Sequence, residues 1–160
     1  MQRSVAAALF AILLFALAGR LLAQNPALGT WKLNVAKSKY NPGPAPQSMT
    51  RTVEAQGDRV KYTFEGVASD GSAVSYTLTV AFDGKDYPIT VINGSAPGGA
   101  DSISSKKLSS RSYEATFKKG GEPVFISRVE ISADGKVTTI TQTSPPGKGS
   151  VKNLIVYEKQ

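Results

Sequence analysis

The chain has 160 residues, a formal net charge of +7 at pH 7, and neither histidine nor cysteine. The length fits one domain, and the missing residue types exclude Ser-His-Asp and Cys-His catalysis, histidine general-base work and nearly all zinc or copper sites. The charge is scattered, with Lys106-Lys107 and Lys118-Lys119 as the only adjacent basic pairs, so it reads as a soluble surface and not as the clustered footprint of a nucleic-acid binder.

In chain order, the first feature is a leader. Arg3 precedes an uncharged apolar run from Val5 to Gly19; Arg20 ends the run, and Leu21-Leu22-Ala23 leads into Gln24. Positive charge, short apolar core and a small residue at the cut make a secretory signal peptide. The expected cleavage follows Ala23, with Ala18 as second choice. An uncleaved membrane anchor is the alternative, but the run falls short of the roughly 20 residues a spanning helix needs, and Arg20 would have to snorkel. No cysteine follows the run, which excludes a lipid-modified bacterial lipoprotein, and no twin-arginine pair is present, so export in an unfolded state is expected. The expected domain plan is a signal peptide over 1–23 and one domain over 24–160, periplasmic or secreted and free of stable membrane insertion. With no disulfide to staple it, that domain must hold by burial and backbone pairing, which its size allows.

Beyond the leader the chain reads as short alternating segments. Strands are expected at 28–35, 48–56, 59–67, 73–82, 101–108, 111–118, 123–132, 136–143 and 150–158, with a short one at 87–91. Val60, Tyr62 and Phe64 share one face of 59–67; Val74, Tyr76, Leu78, Val80 and Phe82 share one face of 73–82; Tyr113, Ala115 and Phe117 share one face of 111–118. This period of two marks a sheet with one buried side. Turns are expected at Gln56-Gly57-Asp58, Asp70-Gly71, Asp83-Gly84, Lys119-Gly120-Gly121 and Asp134-Gly135, where glycine supplies positive φ. Residues 38–47 are Pro-rich and cannot be helix or central strand, and 92–100 compose a flexible loop. No helix is available to cover the apolar face of nine or ten strands, so the sheet must close on itself or pack on another. Short turns between sequence neighbours favour an all-β, closed, antiparallel up-and-down barrel of about 8–10 strands over a Greek-key sandwich.

Gly29-Thr30-Trp31-Lys32-Leu33 opens the mature chain, and Val156-Tyr157-Glu158-Lys159 closes it. These motifs resemble the first strand of lipocalins and the closing strand of fatty-acid-binding proteins, the calycin superfamily. Together with the Pro-rich loop and Asp83-Gly84-Lys85-Asp86-Tyr87-Pro88, the chain also resembles small exported bacterial lipocalin-like proteins. The resemblance spans 27–160 and implies a barrel that holds a small hydrophobic or amphipathic molecule, with Trp31 as a plug at its base. Two departures stand out. The Pro-rich loop occupies the place of the helix-turn-helix lid of intracellular fatty-acid-binding proteins. Of the Arg and Tyr that hold a ligand carboxylate on their closing strand, only the Tyr has a match, Tyr157; Ile155 stands at the Arg position.

Carboxylates are the remaining chemistry. Asp83 and Asp86 flank Gly84-Lys85 but lack the alternating oxygen ligands of a calcium loop and read as a hairpin turn. Asn93-Gly94-Ser95 is a glycosylation sequon and also reads as a turn. No enzyme and no cofactor are expected. The more apolar parity of the strands places Trp31, Leu33, Met49, Arg51, Val53, Tyr62, Phe64, Tyr76, Leu78, Val80, Tyr113 and Phe117 inside, and the resemblance adds Asn153, Ile155 and Tyr157. Arg128 shares parity with Glu130 and belongs outside. Inward phenols need partners. The candidate ligand-binding residues are Arg51, Tyr62, Tyr76, Tyr113 and Tyr157, a pocket that would orient a small amphipathic molecule. Two alternatives stay open. Arg51 is either a buried cation, paired or hydrated, or an end-of-strand Arg reaching solvent. The barrel is either hollow or filled with side chains; a filled one would make the protein an envelope or secreted interaction protein acting through its surface.

Overall fold

The computed structural model describes residues 25–160; the leader expected over 1–23 lies outside the described residues. Ten strands follow one another: β1 (Gly29–Leu33), β2 (Ser48–Gln56), β3 (Arg59–Val67), β4 (Ala73–Val80), β5 (Asp83–Asn93), β6 (Ser102–Lys107), β7 (Ser112–Lys119), β8 (Glu122–Ile131), β9 (Val137–Thr143) and β10 (Lys152–Lys159). Each pairs antiparallel with its sequence neighbours, and β1 pairs with β10, so the sheet closes into an up-and-down barrel. Among the described residues the helical structure is one 3-10 turn, Pro97–Gly99.

The alternation in the sequence is what closes the barrel. On β4, Tyr76, Leu78 and Val80 are buried while their neighbours are more open. Such a strand has one dry face, and a one-residue slip would turn that face outward. Gly57 (φ +63) and Gly135 (φ +69) sit at tight reversals and take the left-handed conformation those turns require. The motifs at the two ends of the sequence are neighbours in space: Trp31 lies opposite Lys159, Lys32 opposite Glu158 and Leu33 opposite Tyr157.

Two segments differ from expectation. Asp83-Gly84 is not the hairpin turn. The chain reverses between Val80 and Asp83, and Asp83 already belongs to β5. The β5–β6 register then slips between Asp83 and Asp86. Asp83 Oδ1 accepts the Lys85 N–H at 3.0 Å, and Gly84 has φ +78. An Asp-Gly pair marks a need for positive φ, which a bulge shares with a turn. The strand expected at 87–91 therefore extends over Asp83–Asn93. It pairs with β4 only from Ile89 onward and with β6 below that point.

The Pro-rich segment is partly strand-like. The Asn34 N–H donates to Val156 O (2.8 Å), Lys39 and Leu154 exchange backbone bonds (2.7 and 2.8 Å), and the Lys152 N–H donates to Asn41 O (2.8 Å). Residues 34–41 thus extend the β1–β10 seam as a strap. Val156 lies on the outward parity of β10 yet is buried, because the strap runs along it.

The barrel has two unlike ends. Residues 25–28 turn beneath one end, where the Leu28 N–H bonds Asn25 O and the Trp31 Nε1–H donates to Ala27 O at 2.8 Å. Trp31 is fully buried there. The other end carries the longer connections 34–47, 94–101 and 144–151.

Candidate functional site: an interior cavity

The barrel is hollow. A cavity of about 180 Å³ lies in its interior, smaller than the roughly 300–1,000 Å³ of common ligand pockets. Its mouth lies among the long loops, where Tyr40, Pro46 and Pro97 line it, and its floor lies above Trp31. Side chains fill part of the interior and leave this void.

Arg51, Tyr62, Tyr76, Tyr113 and Tyr157 all line this cavity. They come from β2, β3, β4, β7 and β10, and inward parity alone brings them together. Arg51 does not reach solvent at the strand end. It is 2% exposed, because it sits in mid-strand opposite Trp31 on one side and Phe64 on the other. Its guanidinium extends under the cavity, 5.4 Å from the Trp31 ring centre and 5.0 Å from that of Tyr157. Such contacts with ring faces stabilise a cation where water is excluded. Its Nη2 donates to Thr138 Oγ1 at 3.2 Å, while Nε has no partner. Among the described residues no carboxylate pairs with it.

Three of the tyrosines are deeply buried. Burial pushes the Tyr62 phenol well above its ordinary value, with the nearby Tyr113 adding to the shift. Tyr62 donates a long hydrogen bond, 3.4 Å, to the Tyr113 oxygen on β7. Burial likewise raises Tyr76 and Tyr157, opposed in both by the Arg51 charge. The Tyr62, Tyr76 and Tyr157 phenols are therefore neutral at physiological pH, and among the described residues Arg51 is the single charged side chain lining the cavity.

The walls differ in chemistry. On β3 and β4, Phe64 stacks against Tyr76 with ring centres 4.6 Å apart, and against Tyr62 at 6.3 Å. On the side of β6, β8, β9 and β10 lie Ser105, Ser127, Gln142 and Asn153, all buried. Asn153 Nδ2 donates to Gln142 Oε1 (3.0 Å), and Gln142 Nε2 donates to Ser127 Oγ (3.3 Å). Asn153 Oδ1 also accepts the Asn41 N–H of the strap at 2.9 Å. One wall is aromatic and the other carries a line of amide and hydroxyl groups.

Sequence reasoning missed several lining residues. Tyr40 is a fifth tyrosine, supplied by the strap, and burial raises it to about 12; nothing in a Pro-rich loop's composition points inward. Ser105, Ser127 and Gln142 were legible by parity alone, since they share a strand face with Ile103, Val129 and Ile140. The preference for apolar positions passed over them. Arg128 and Glu130 lie outside, paired at 3.3 Å, as their parity requires.

No family model matches the chain, and no curated protein does. Among solved structures, zebrafish ileal bile acid-binding protein complexed with cholic acid is similar over 84% of this chain and 99% of that chain, at 15% identity and a TM-score of 0.53. Two redesigned β-barrels bound to DFHBI, mFAP0 and mFAP1, also cover 84% of this chain, with 99% and 95% of their own. Their identities are 12% and 11%, and their TM-scores are 0.40 and 0.42. At these identities the likeness concerns the fold alone: this chain is a closed ten-stranded antiparallel barrel, similar in fold to the bile acid-binding protein.

Proposed function

We propose that the protein is an exported carrier that holds a small hydrophobic or amphipathic molecule inside its barrel, in the periplasm or outside the cell. The cavity of about 180 Å³ carries this reading. It is bounded by aromatic rings, open toward the loops and equipped with a few placed polar groups, the usual composition of a small-molecule site. The bile acid-binding protein, of similar fold, holds cholic acid. A chain without His or Cys favours binding over catalysis. Export rests on the charge, apolar run and Ala23 layout of the leader, and among the described residues no helix is long and apolar enough to cross a membrane.

The test combines two measurements on protein purified from the exporting cell. An apolar fluorescent probe should bind saturably at one site per molecule, and mass spectrometry of the native protein should show a copurifying small molecule. The N-terminus should begin near Gln24. No saturable probe and no copurified molecule would refute the carrier. Residues 1–23 intact on membrane-extracted protein would refute export.

A further inference from the structure

We infer that the occupant of the cavity is a small single-ring aromatic carboxylate, held with its carboxylate on Arg51 and its ring against the Tyr62–Phe64–Tyr76 wall; this rests on the barrel being a carrier. The charge argument comes first. Arg51 is the only charged group lining the cavity and no acid pairs with it among the described residues. Of five N–H donors, the structure gives one a partner, Thr138; Nε has none but is enclosed by protein, so the Nη nitrogens are the ones a ligand would meet. A buried cation is costly without an opposing charge, and an unpaired buried donor adds to that cost. The flanking rings of Trp31 and Tyr157 offset the charge in part but accept no N–H in the guanidinium plane. A planar anion would, and the guanidinium fork matches the geometry of a carboxylate.

Size and shape narrow the class. A void of about 180 Å³ is close to a dry protein cavity of about 150 Å³ that takes up benzene, so one ring and a short linker fill it. A long alkyl chain or a fused ring system would have to project through the mouth. The ring has a natural seat. Phe64 is the direct cross-strand neighbour of Arg51 and of Tyr76, and the Phe64 and Tyr76 rings are within 15° of parallel. A ligand ring can add to this group by offset or edge contact. Across the void, Ser105 and Gln142 face the other side of that ring and give hydroxyl-bearing acids a second contact.

The probes are phenylpropionate, its neutral amide, the cationic phenylpropylamine and dodecanoate, titrated into the purified protein by calorimetry. Phenylpropionate should bind at one site, about tenfold or more tighter than the amide, the scale of one charge-assisted contact, and tighter than the amine and dodecanoate. Arg51→Met should erase the advantage of acid over amide while an apolar fluorescent probe still binds. Should that variant not fold, the wild-type protein decides: between pH values at which circular dichroism shows the fold intact, acid affinity should fall as the ligand itself is protonated, and amide affinity should not. Equal affinity for acid and amide, or tighter binding of dodecanoate, overturns the inference. If the apolar probe still binds in that case, the carrier reading survives; if no probe binds, both are lost.

Discussion

Replacing Trp31 with alanine tests the closed end of the barrel. The ring is fully buried, its Nε1–H donates to Ala27 O at 2.8 Å, and its faces meet Arg51 at 5.4 Å and Lys159 at 5.2 Å. Truncating a buried aromatic costs about 3–5 kcal/mol through lost transfer energy and the space left behind. The Ala27 carbonyl would also lose its indole donor, worth about 1 kcal/mol. A domain stable by about 5–15 kcal/mol would retain only part of that. Trp31→Phe keeps most of the ring and loses the N–H, so its cost should be about 1–2 kcal/mol. Urea unfolding measures both, as a lower midpoint at unchanged slope. A loss below about 1 kcal/mol for the alanine variant, the level of ordinary surface changes, would show that the ring is no plug. Equal losses for Ala and Phe would place the contribution in the hydrogen bond and not in the ring.

Leu78→Trp puts a large ring into the cavity wall; saturable apolar-probe binding should disappear while the circular dichroism spectrum is kept, and retained binding would place the ligand elsewhere. Asn153→Ala removes the link between the strap and the polar wall and should cost about 1–3 kcal/mol by urea unfolding, the scale for stranding buried polar partners. Alkaline titration followed by ultraviolet difference spectroscopy should show Tyr40 ionising at about 12 and buried Tyr62 held well above its ordinary value. Because the folded values lie above the unfolded one near 10, these phenols leave stability unchanged below pH ~10. The unfolded chain then ionises first, so stability falls as pH rises from ~10 through the folded values. Ionisation of all tyrosines together near 10 in the folded protein would contradict their burial.

Strand positions were legible because one face of nearly every strand is dry, and a period of two is then written into the residue order. Residues 48–56 and 59–67 coincide with β2 and β3, while 73–82 overruns β4 by two residues although its alternation is the cleanest. The error at Asp83-Gly84 has a physical source: bulges and turns draw on the same backbone conformation, and local composition does not tell them apart. The burial of Arg51 was ambiguous for a different reason. Parity assigns a face, but the depth of a side chain depends on how far the neighbouring strands extend past it. Arg51 is buried because β1 carries Trp31 beside it and β10 brings Tyr157, more than a hundred positions away in the chain, against it. Tyr40 escaped notice because its position depends on the strap's bonds to Lys152, Asn153 and Leu154, which no local pattern encodes.

The two ends of the barrel are held in place by different means. At the floor, Trp31, Arg51, Tyr157 and Thr138 hold one another by ring contacts and hydrogen bonds on adjoining strands β1, β2, β10 and β9. Groups fixed on paired strands are positioned more closely than groups on loops, so a polar group placed at the floor would meet fixed partners. The mouth is built differently: Tyr40, Pro46 and Pro97 come from connections and not from strands. The strap is nevertheless tied down, since Asn153 binds its backbone at Asn41 and passes the contact through Gln142 to Ser127. A group in the cavity that hydrogen-bonds Gln142 would therefore touch the same chain of contacts that fixes the strap carrying Tyr40.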